Sequence, residues 1–310
     1  MSQIATLRQL QILLALKQHG SITAASEALY LTQPTVSMQL KSLADKVGLP
    51  LYQQTNKVLT FTDAGLELLK TAQEVVNSFE RLEMNLAGLK GLTAGTLKIA
   101  VVSTAKYFIP HLLGEFCKLY PDVDVNFSVG NRQQIIDRFN DNRDDFYVFT
   151  YPPRQAPIKT HKFLQNPLVA IAHPEHELFK KEKVTLQEFA KQPYLMRERG
   201  SGTRYAIENF MREHDIQLNI RMIIESNEAI RHSVMSELGV TILSAYTLAY
   251  GEDTGLKVLP VEGLPIQSQW YLAHYRGKKL SPIAERFLQW VLEEGSQQLE
   301  LESKRVLGRQ

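Results

Sequence analysis

Leu7, Leu10, Ile12, Leu13, Leu14 and Leu16 recur at helical spacing until His19-Gly20 stops the run. A second, short and Ala-rich helix is predicted over Thr23 to Leu29, ended by the Tyr30-Leu31 pair, with Thr32 as the cap of a third. Pro34 falls in the first turn of that third helix, where its missing N–H costs nothing. Val36, Leu40, Leu43 and Val47 are its buried face and Gly48 its stop. LYQQTNKVLTF then offers two strand-like runs around Thr55-Asn56-Lys57, a hairpin tip. Thr62-Asp63 supplies a cap and a first-turn acid for a long helix from about 63 to 90. Its stripe of Leu66, Leu69, Val76, Phe79, Leu82, Leu86 and Leu89 is too long for a 60-residue module to cover, so it calls for a partner helix.

From Thr96 the pattern becomes strand–helix alternation. TLKIAVVS, VDVNFSV and DFYVFTYPP read as strands between the helices IPHLLGEFCKLY and QQIIDRFND. A second series starts at PLVAIAHP and runs through VTLQEFAKQ, PYLM, TRYAIENFMREH, RMIIES, EAIRHSVMSEL, VTILSA and LKVLPV, before SQWYLAHY and SPIAERFLQWVLEE close the chain. The expected fold is therefore α/β, a mixed or parallel sheet in two lobes with the ligand site at strand ends. Gly88, Gly91 and Thr93-Ala94-Gly95 mark a hinge before it. The expected divisions are a helical head with a hairpin wing at 1–61, a linker helix at 62–92 and a ligand domain at 93–310. Within that domain, lobe I spans about 96–166 and 270–300, and lobe II about 167–269.

Composition narrows the partners. The 310 residues are 44% apolar and 22% charged with net charge +2, which excludes a disordered chain and announces no polyanionic partner from totals alone. The single cysteine, Cys117, excludes an intramolecular disulfide, fits a reducing compartment and continues a helical apolar stripe as core filler. No apolar run reaches 18 residues and the start is broken by Arg, Gln and Lys, so a cytoplasmic protein without a membrane partner is expected. His173-Pro174-Glu175-His176 reads as a polar turn, Arg231-His232 as a solvated helix face, and Trp270, Tyr271 and Tyr275 as core or interface. No nucleophile elbow, paired-acid site or Cys/His arrangement is evident, so neither an enzyme nor a metal or cofactor site is expected.

Two short helices joined by a tight turn can set the second in a DNA major groove. Its entering end would present Thr32, Gln33, Pro34, Thr35 and Ser37, with Gln39 and Lys41 one turn on and Asn56 and Lys57 on the wing. Gln can pair with adenine, a Thr methyl with a thymine methyl, and hydroxyls with phosphate. Residues 1–65 carry five cations against three acids, so a single head binds weakly and pairing through the long helix would double its contacts. A ligand-free three-helix bundle has the same spacing.

In the C-terminal part, Ser103-Thr104 ends the first strand at an expected helix N-terminus. RERGSGTR places Arg197, Ser201, Gly202, Thr203 and Arg204 between a strand and a helix, a set that suits phosphate or carboxylate. Thr150 and Asn227, at two further strand ends, could complete the rim. The alternative is a capped helix whose Arg204 is merely solvated.

The strings TLRQLQILLALKQHGSITAASEALYLTQPTVSMQLKSLADKVGLPLY and LTFTDAG resemble LysR-type transcriptional regulators, with Ala24, Ala25, Leu29, Gln33, Pro34, Ser37 and Leu43 in register. The resemblance implies a winged helix-turn-helix, a linker helix and an effector domain like a periplasmic binding protein. It makes Gln33, Pro34, Thr35 and Ser37 contacts to double-stranded promoter DNA, in a homo-oligomer built of dimers and reaching a tetramer. RERGSGTR with TYPP resembles the subgroup controlling CO₂-fixation and carbon-uptake operons, which implies a small anionic effector, a phosphorylated metabolite or NADPH. Regulation of nitrogen, sulfur or aromatic metabolism is the alternative within the family; a small-molecule-binding or catalytic α/β protein is the alternative outside it. Two departures stand out. Gln54 occupies a position where many members carry Arg, and DFYVFTYPP brings bulky Tyr147, Phe149 and Tyr151 where relatives usually have a small aliphatic strand ending in Gly, an expected narrowing or refilling of the cleft.

Overall fold

The computed structural model describes residues 4–55, 58–89, 94–153, 156–251 and 255–307. It divides into two units, Met1–Leu92 with Asp141–Arg143, and Thr93–Asn140 with Asp144–Gln310.

In the first unit, α1 (Leu7–His19) starts in a Thr6–Gln9 capping box and ends at Gly20, whose φ of 72° is left-handed. Ser21 caps α2 (Ile22–Ala28), and Thr32 caps α3 (Gln33–Val47) by accepting from the Thr35 N–H. Ile12, Leu13, Leu16, Val36, Leu40 and Leu43 close a core over which Leu51 and Leu69 pack. Each such burial is worth about 1.5–3 kcal/mol. The hairpin of β1 (Tyr52–Thr55) and β2 (Val58–Phe61) follows, then α4 (Asp63–Leu89). Gly65 is required there, because a Cβ would stand 1.9 Å from the Leu51 carbonyl oxygen. Of the predicted stripe on α4, Leu69 is buried, whereas Phe79, Leu82 and Leu86 stay about half exposed and Leu89 is 85% exposed.

The second unit opens with β3 (Gly95–Val102), a 3₁₀ turn (Ala105–Tyr107), α5 (Ile109–Leu119), β4 (Val123–Gly130), α6 (Arg132–Asn140) and β5 (Phe146–Phe149). Next come β6 (Ile158–Ala172), α7 (Leu186–Lys191), β7 (Tyr194–Arg197), α8 (Gly202–Glu213), β8 (Ile220–Ile224), α9 (Asn227–Met235) and β9 (Thr241–Ser244). The chain continues through α10 (Tyr246–Ala249), β10 (Lys257–Val258), β11 (Ile266–Tyr275), α11 (Pro282–Trp290), a π turn (Val291–Gly295) and α12 (Ser296–Leu307).

One sheet of seven strands, among the described residues, runs β10-β6-β11-β5-β3-β4, with β9 also on β6. β3 pairs in parallel with β4 and β5, while β11 runs antiparallel to both β5 and β6. The pair β7–β8 forms a second, parallel sheet. The long strands β6 and β11 therefore join the half built on β3–β5 to the half built on β7–β9.

Three local expectations change. β6 begins at Ile158, well before Pro167, because its first turns carry Lys159, His161 and Lys162 and show no clean apolar alternation. Cys117 is half-buried beside the stripe of Ile109, Leu112, Leu113 and Phe116 rather than within it. Arg231 is no solvated residue: it is 4% exposed, and its guanidinium lies where a Cβ on Gly251 would clash at 2.3 Å. His232, one residue on, does face solvent.

Candidate DNA interface and effector cleft

On α3 the residues of the predicted probe face outward to differing degrees. Thr32, Gln33, Pro34 and Lys41 are exposed, and Thr35, Ser37 and Gln39 are half-buried. The hydroxyls of Thr32 and Thr35 lie 2.8 Å apart, so the capping interaction occupies part of their bonding capacity. Asn56 and Lys57 lie outside the described residues. Two residues were missed. Met38 is 64% exposed one turn beyond Pro34, an apolar side chain in the middle of the polar probing face. Tyr30 is 96% exposed and holds φ at +54°, an uncommon conformation for a bulky residue, in the turn between α2 and α3. Position i+4 from Pro34 was the signal available for Met38.

In the second unit, Ser103 and Thr104 follow β3, Thr150 follows β5, Arg197 ends β7, Ser201 to Arg204 open α8, and Asn227 opens α9. The fold brings all of them to one place. Asn227 Nδ2 donates to Thr104 Oγ1 at 3.1 Å, and Arg197 Nη2 to Ser103 Oγ at 3.4 Å, both bonds crossing from one half of the unit to the other. Lys106 and Glu228 add an ion pair at 2.6 Å across the same gap. Thr104 stands at the N-terminus of a 3₁₀ turn rather than an α-helix, and its hydroxyl makes no capping bond but accepts from Asn227.

The glycines of GSG have separate reasons. Gly200 sits at φ +88°, and Gly202 lies so near Thr150 that a Cβ would stand 2.2 Å from its Oγ1. Ser201 Oγ accepts from the Arg204 N–H and its carbonyl from Tyr205 N–H, leaving the N–H groups of Gly202 and Thr203 for an outside acceptor. Arg204 is tied down rather than solvated: Nε donates to Glu208 at 2.7 Å and Nη1 to the Arg197 carbonyl at 3.0 Å.

Two contiguous cavities result. An inner one of about 20 Å³, room for one water-sized group, is lined by Ser103, Thr104, Thr150, Arg197, Thr203 and Trp270, among others. An outer one of about 630 Å³ is lined by Arg132, Tyr151, Arg199, Arg204, Tyr205 and Glu208, among others, and shares Arg132, Tyr151, Ser201 and Gly202 with the first. Three arginines face one acid there, a field that favours anions. Burial lowers the Arg132 pKa from its ordinary value, and its Nη2 donates to the Tyr151 carbonyl. Tyr151 stacks edge-on against Tyr205 with centroids 4.6 Å apart, and burial raises its phenol pKa. Phe149 lines the inner cavity, whereas Tyr147 is turned away, its hydroxyl held by the Arg138 carbonyl and the Asp144 N–H. Sequence reasoning read Trp270 as core or interface, and it is core, with its ring also lining the inner cavity. It is wholly buried, yet its indole N–H has no hydrogen-bond partner.

Elsewhere, His176 caps a 3₁₀ turn through the Leu178 N–H, consistent with a polar turn. Among the described residues no three His, Cys, Asp or Glu gather into a set that could hold a metal, and no helix is long and apolar enough to cross a membrane.

Residues 7–66 match the model of the bacterial regulatory helix-turn-helix proteins of the lysR family, and residues 90–296 that of the LysR substrate binding domain. The chain is 43% identical to the HTH-type transcriptional activator CmpR of Synechocystis over 93% of its own length and 95% of the relative's. It is 38% identical to the RuBisCO operon transcriptional regulator of Acidithiobacillus ferrooxidans over 93% of each chain. Its effector unit is 38% identical to the Synechocystis CcmR regulatory domain solved in complex with 2-PG, with a TM-score of 0.61 over 65% of this chain and 98% of that one. The protein with the head, linker helix and cleft described above therefore belongs to the LysR family of transcriptional regulators.

Proposed function

We propose that this regulator binds double-stranded promoter DNA through α3, in a homo-oligomer paired along α4, and controls genes of CO₂ fixation or carbon uptake in response to a small anionic metabolite. The DNA contacts are Thr32, Gln33, Pro34, Thr35, Ser37, Gln39 and Lys41, to which exposure adds Met38. The effector contacts are Ser103, Thr104, Thr150, Arg197, Ser201, Gly202, Thr203, Arg204 and Asn227, with Arg132 at the mouth. Residues 1–61, 62–92 and 93–310 act as head, linker and sensor, and the protein works in the cytoplasm as a regulator and not an enzyme.

The observation carrying this reading is the convergence of the α8 N-terminus with Arg132, Arg199 and Arg204 on one cavity. A phosphate that accepts from the free N–H groups of Gly202 and Thr203 and from those arginines would have to part, or replace, the bonds joining Thr104 to Asn227 and Ser103 to Arg197. Its binding energy would thus be coupled to the relation between the two halves of the sensor, and through it to the DNA-binding heads. 2-Phosphoglycolate is the first probe, given the ligand of the CcmR domain. The test is a promoter footprint with and without it. Thr203→Ala or Arg204→Ala should abolish the effector-dependent change and leave basal protection, and an unchanged titration in both variants would defeat the assignment.

A further inference from the structure

Arg197 stands among the cleft hydroxyls, but each nitrogen of its guanidinium already has a partner within the chain. It is 2% exposed. Its Nε and Nη2 fork onto the two carboxylate oxygens of Glu198 at 2.8 and 2.9 Å, and Nη1 donates to Asn227 Oδ1. Nη2 also reaches Ser103 Oγ at 3.4 Å and the Glu225 carbonyl at 3.5 Å. The fork is the geometry in which arginine takes a carboxylate or a phosphate, and Glu198 fills it from within the chain. Glu198 itself lines the inner cavity, with a side chain 19% exposed.

We infer that Glu198 is the resident counter-anion of the effector site: an incoming anion takes the place of the Glu198 carboxylate on Arg197, and Glu198 thereby sets the effector concentration at which the cleft fills. This rests on the reading of the cleft as the effector site. A buried guanidinium without a partner is strongly disfavoured, so the unliganded protein needs a counter-charge at this point. A carboxylate on the adjacent residue supplies it at high effective concentration, which a weak or singly charged competitor cannot overcome. A phosphate, with more negative charge and more acceptor oxygens, can. The displaced carboxylate has somewhere to go. Glu198 leads into the exposed Arg199 and then Gly200 at φ +88°, a turn beside the outer cavity, where Arg199 can receive it. With Arg132, Arg197, Arg199 and Arg204 against Glu198 and Glu208, the two cavities carry a net charge of about +2 when empty, and a phosphate dianion would bring them close to neutral.

The test is calorimetric titration of the full-length protein with 2-phosphoglycolate and with inorganic phosphate, on wild type, Glu198→Gln and Glu213→Gln. Gln can still accept one bond from Arg197 but competes as a neutral group. Glu213 is an exposed acid at the far end of α8, and its variant measures the effect of removing charge in general. Glu198→Gln should bind 2-phosphoglycolate at least tenfold more tightly, and Glu213→Gln within twofold of wild type. Equal gains in both variants, or no gain in a Glu198→Gln protein that melts at the wild-type temperature, would overturn the exchange. Should Glu198→Gln unfold early, Glu198→Asp keeps the charge but shortens its reach, and a gain of about threefold is expected; no gain would again overturn it. Failure of both anions to bind any of these proteins would instead remove the effector reading, and the exchange with it.

Discussion

The side-chain amide of Asn227 donates to the hydroxyl of Thr104 at 3.1 Å, joining two buried residues 123 positions apart. Through this bond the start of α9 is fastened to the end of β3, and Asn227 also accepts from Arg197 with its other amide atom. The two partners are therefore unequal. Thr104→Val strands one amide N–H and should cost about 1–2 kcal/mol. Asn227→Ala also withdraws an acceptor from a buried guanidinium and should cost more, about 2–4 kcal/mol. Urea unfolding of both variants checks the order, and a larger loss for Thr104→Val would contradict it.

Trp270 gives a prediction with opposed signs. Its indole N–H is buried without a partner at the wall of the inner cavity. Replacing it by Phe removes a stranded donor along with some ring volume, so stability should fall by less than the roughly 3–5 kcal/mol typical of losing a buried aromatic side chain altogether. Effector affinity should fall at least threefold, because an acceptor on the ligand loses its donor. With Trp290 changed to Phe as background, 2-phosphoglycolate should alter the emission of Trp270. A titration without any change in emission would separate the indole from the site.

On the proposed reading, the outward face of α3 would combine base-reading and phosphate-binding residues, which separate experimentally. Gln33→Ala should cost about 1–3 kcal/mol on the protected promoter and almost nothing on random duplex. Met38→Ala should show the same selectivity at a smaller magnitude, about 1 kcal/mol, through a lost thymine methyl contact. Lys41→Ala should weaken binding to all sequences and reduce the slope of log K against log salt by about 0.9 per head. Fluorescence anisotropy across a salt series measures all three, and an unchanged slope for Lys41→Ala would remove it from the backbone contacts.

The elements of the first unit were legible because their start and stop signals are local. Ser21 and Thr32 cap their helices, Gly20 and Gly48 take left-handed φ, and the apolar spacing between them is regular. The early turns of β6 were not, because a strand paired with β11 and part-exposed along Lys159 to Lys162 carries no period-2 signal. The residues of the cleft could be named singly from strand ends and a glycine-rich loop. Their mutual engagement could not, since Arg197 meets Asn227 and Ser103 through contacts 30 and 94 residues apart in the chain. The orphaned N–H of Trp270 was illegible for the same reason: nothing in SQWYLAHY shows that this core ring also lines a cavity.

The Lys106–Glu228 pair makes the stability of this unit sensitive to acid. Burial alone would raise the Glu228 pKa, but hydrogen bonds from Lys106, its own backbone and Ser226 outweigh it and hold the group at about 2, below the ordinary 4.5. A carboxyl depressed on folding contributes its stabilisation above about pH 4.5, and that contribution fades as pH falls from 4.5 toward 2. With the Glu228 side chain 42% exposed, added salt weakens the pair as well. The difference in urea midpoint between wild type and Lys106→Met should therefore be largest at neutral pH and low salt, and shrink at pH 3. A difference independent of pH would assign the effect of Lys106 to packing.

The outer half of α4 is where pairing between chains can be tested without disturbing the fold of one chain. Phe79, Leu82, Leu86 and Leu89 follow each other at spacings of three and four, and each is 48% or more exposed. That is the spacing of a coiled-coil seam, whose apolar positions gain their burial from a second helix. Leu82→Glu with Leu86→Glu keeps good helix formers at both positions. The double variant should therefore leave the head near its wild-type stability, with losses below about 1 kcal/mol as expected for exposed sites. In contrast, it should raise the dimer dissociation constant by at least 100-fold, since two charges would be desolvated in each helix of the seam. DNA affinity should fall with it, because each isolated head neutralises few phosphates. Sedimentation equilibrium from nanomolar to micromolar protein, run beside DNA titration, resolves the two effects. A double variant that remains dimeric throughout that range would place the pairing surface elsewhere than α4.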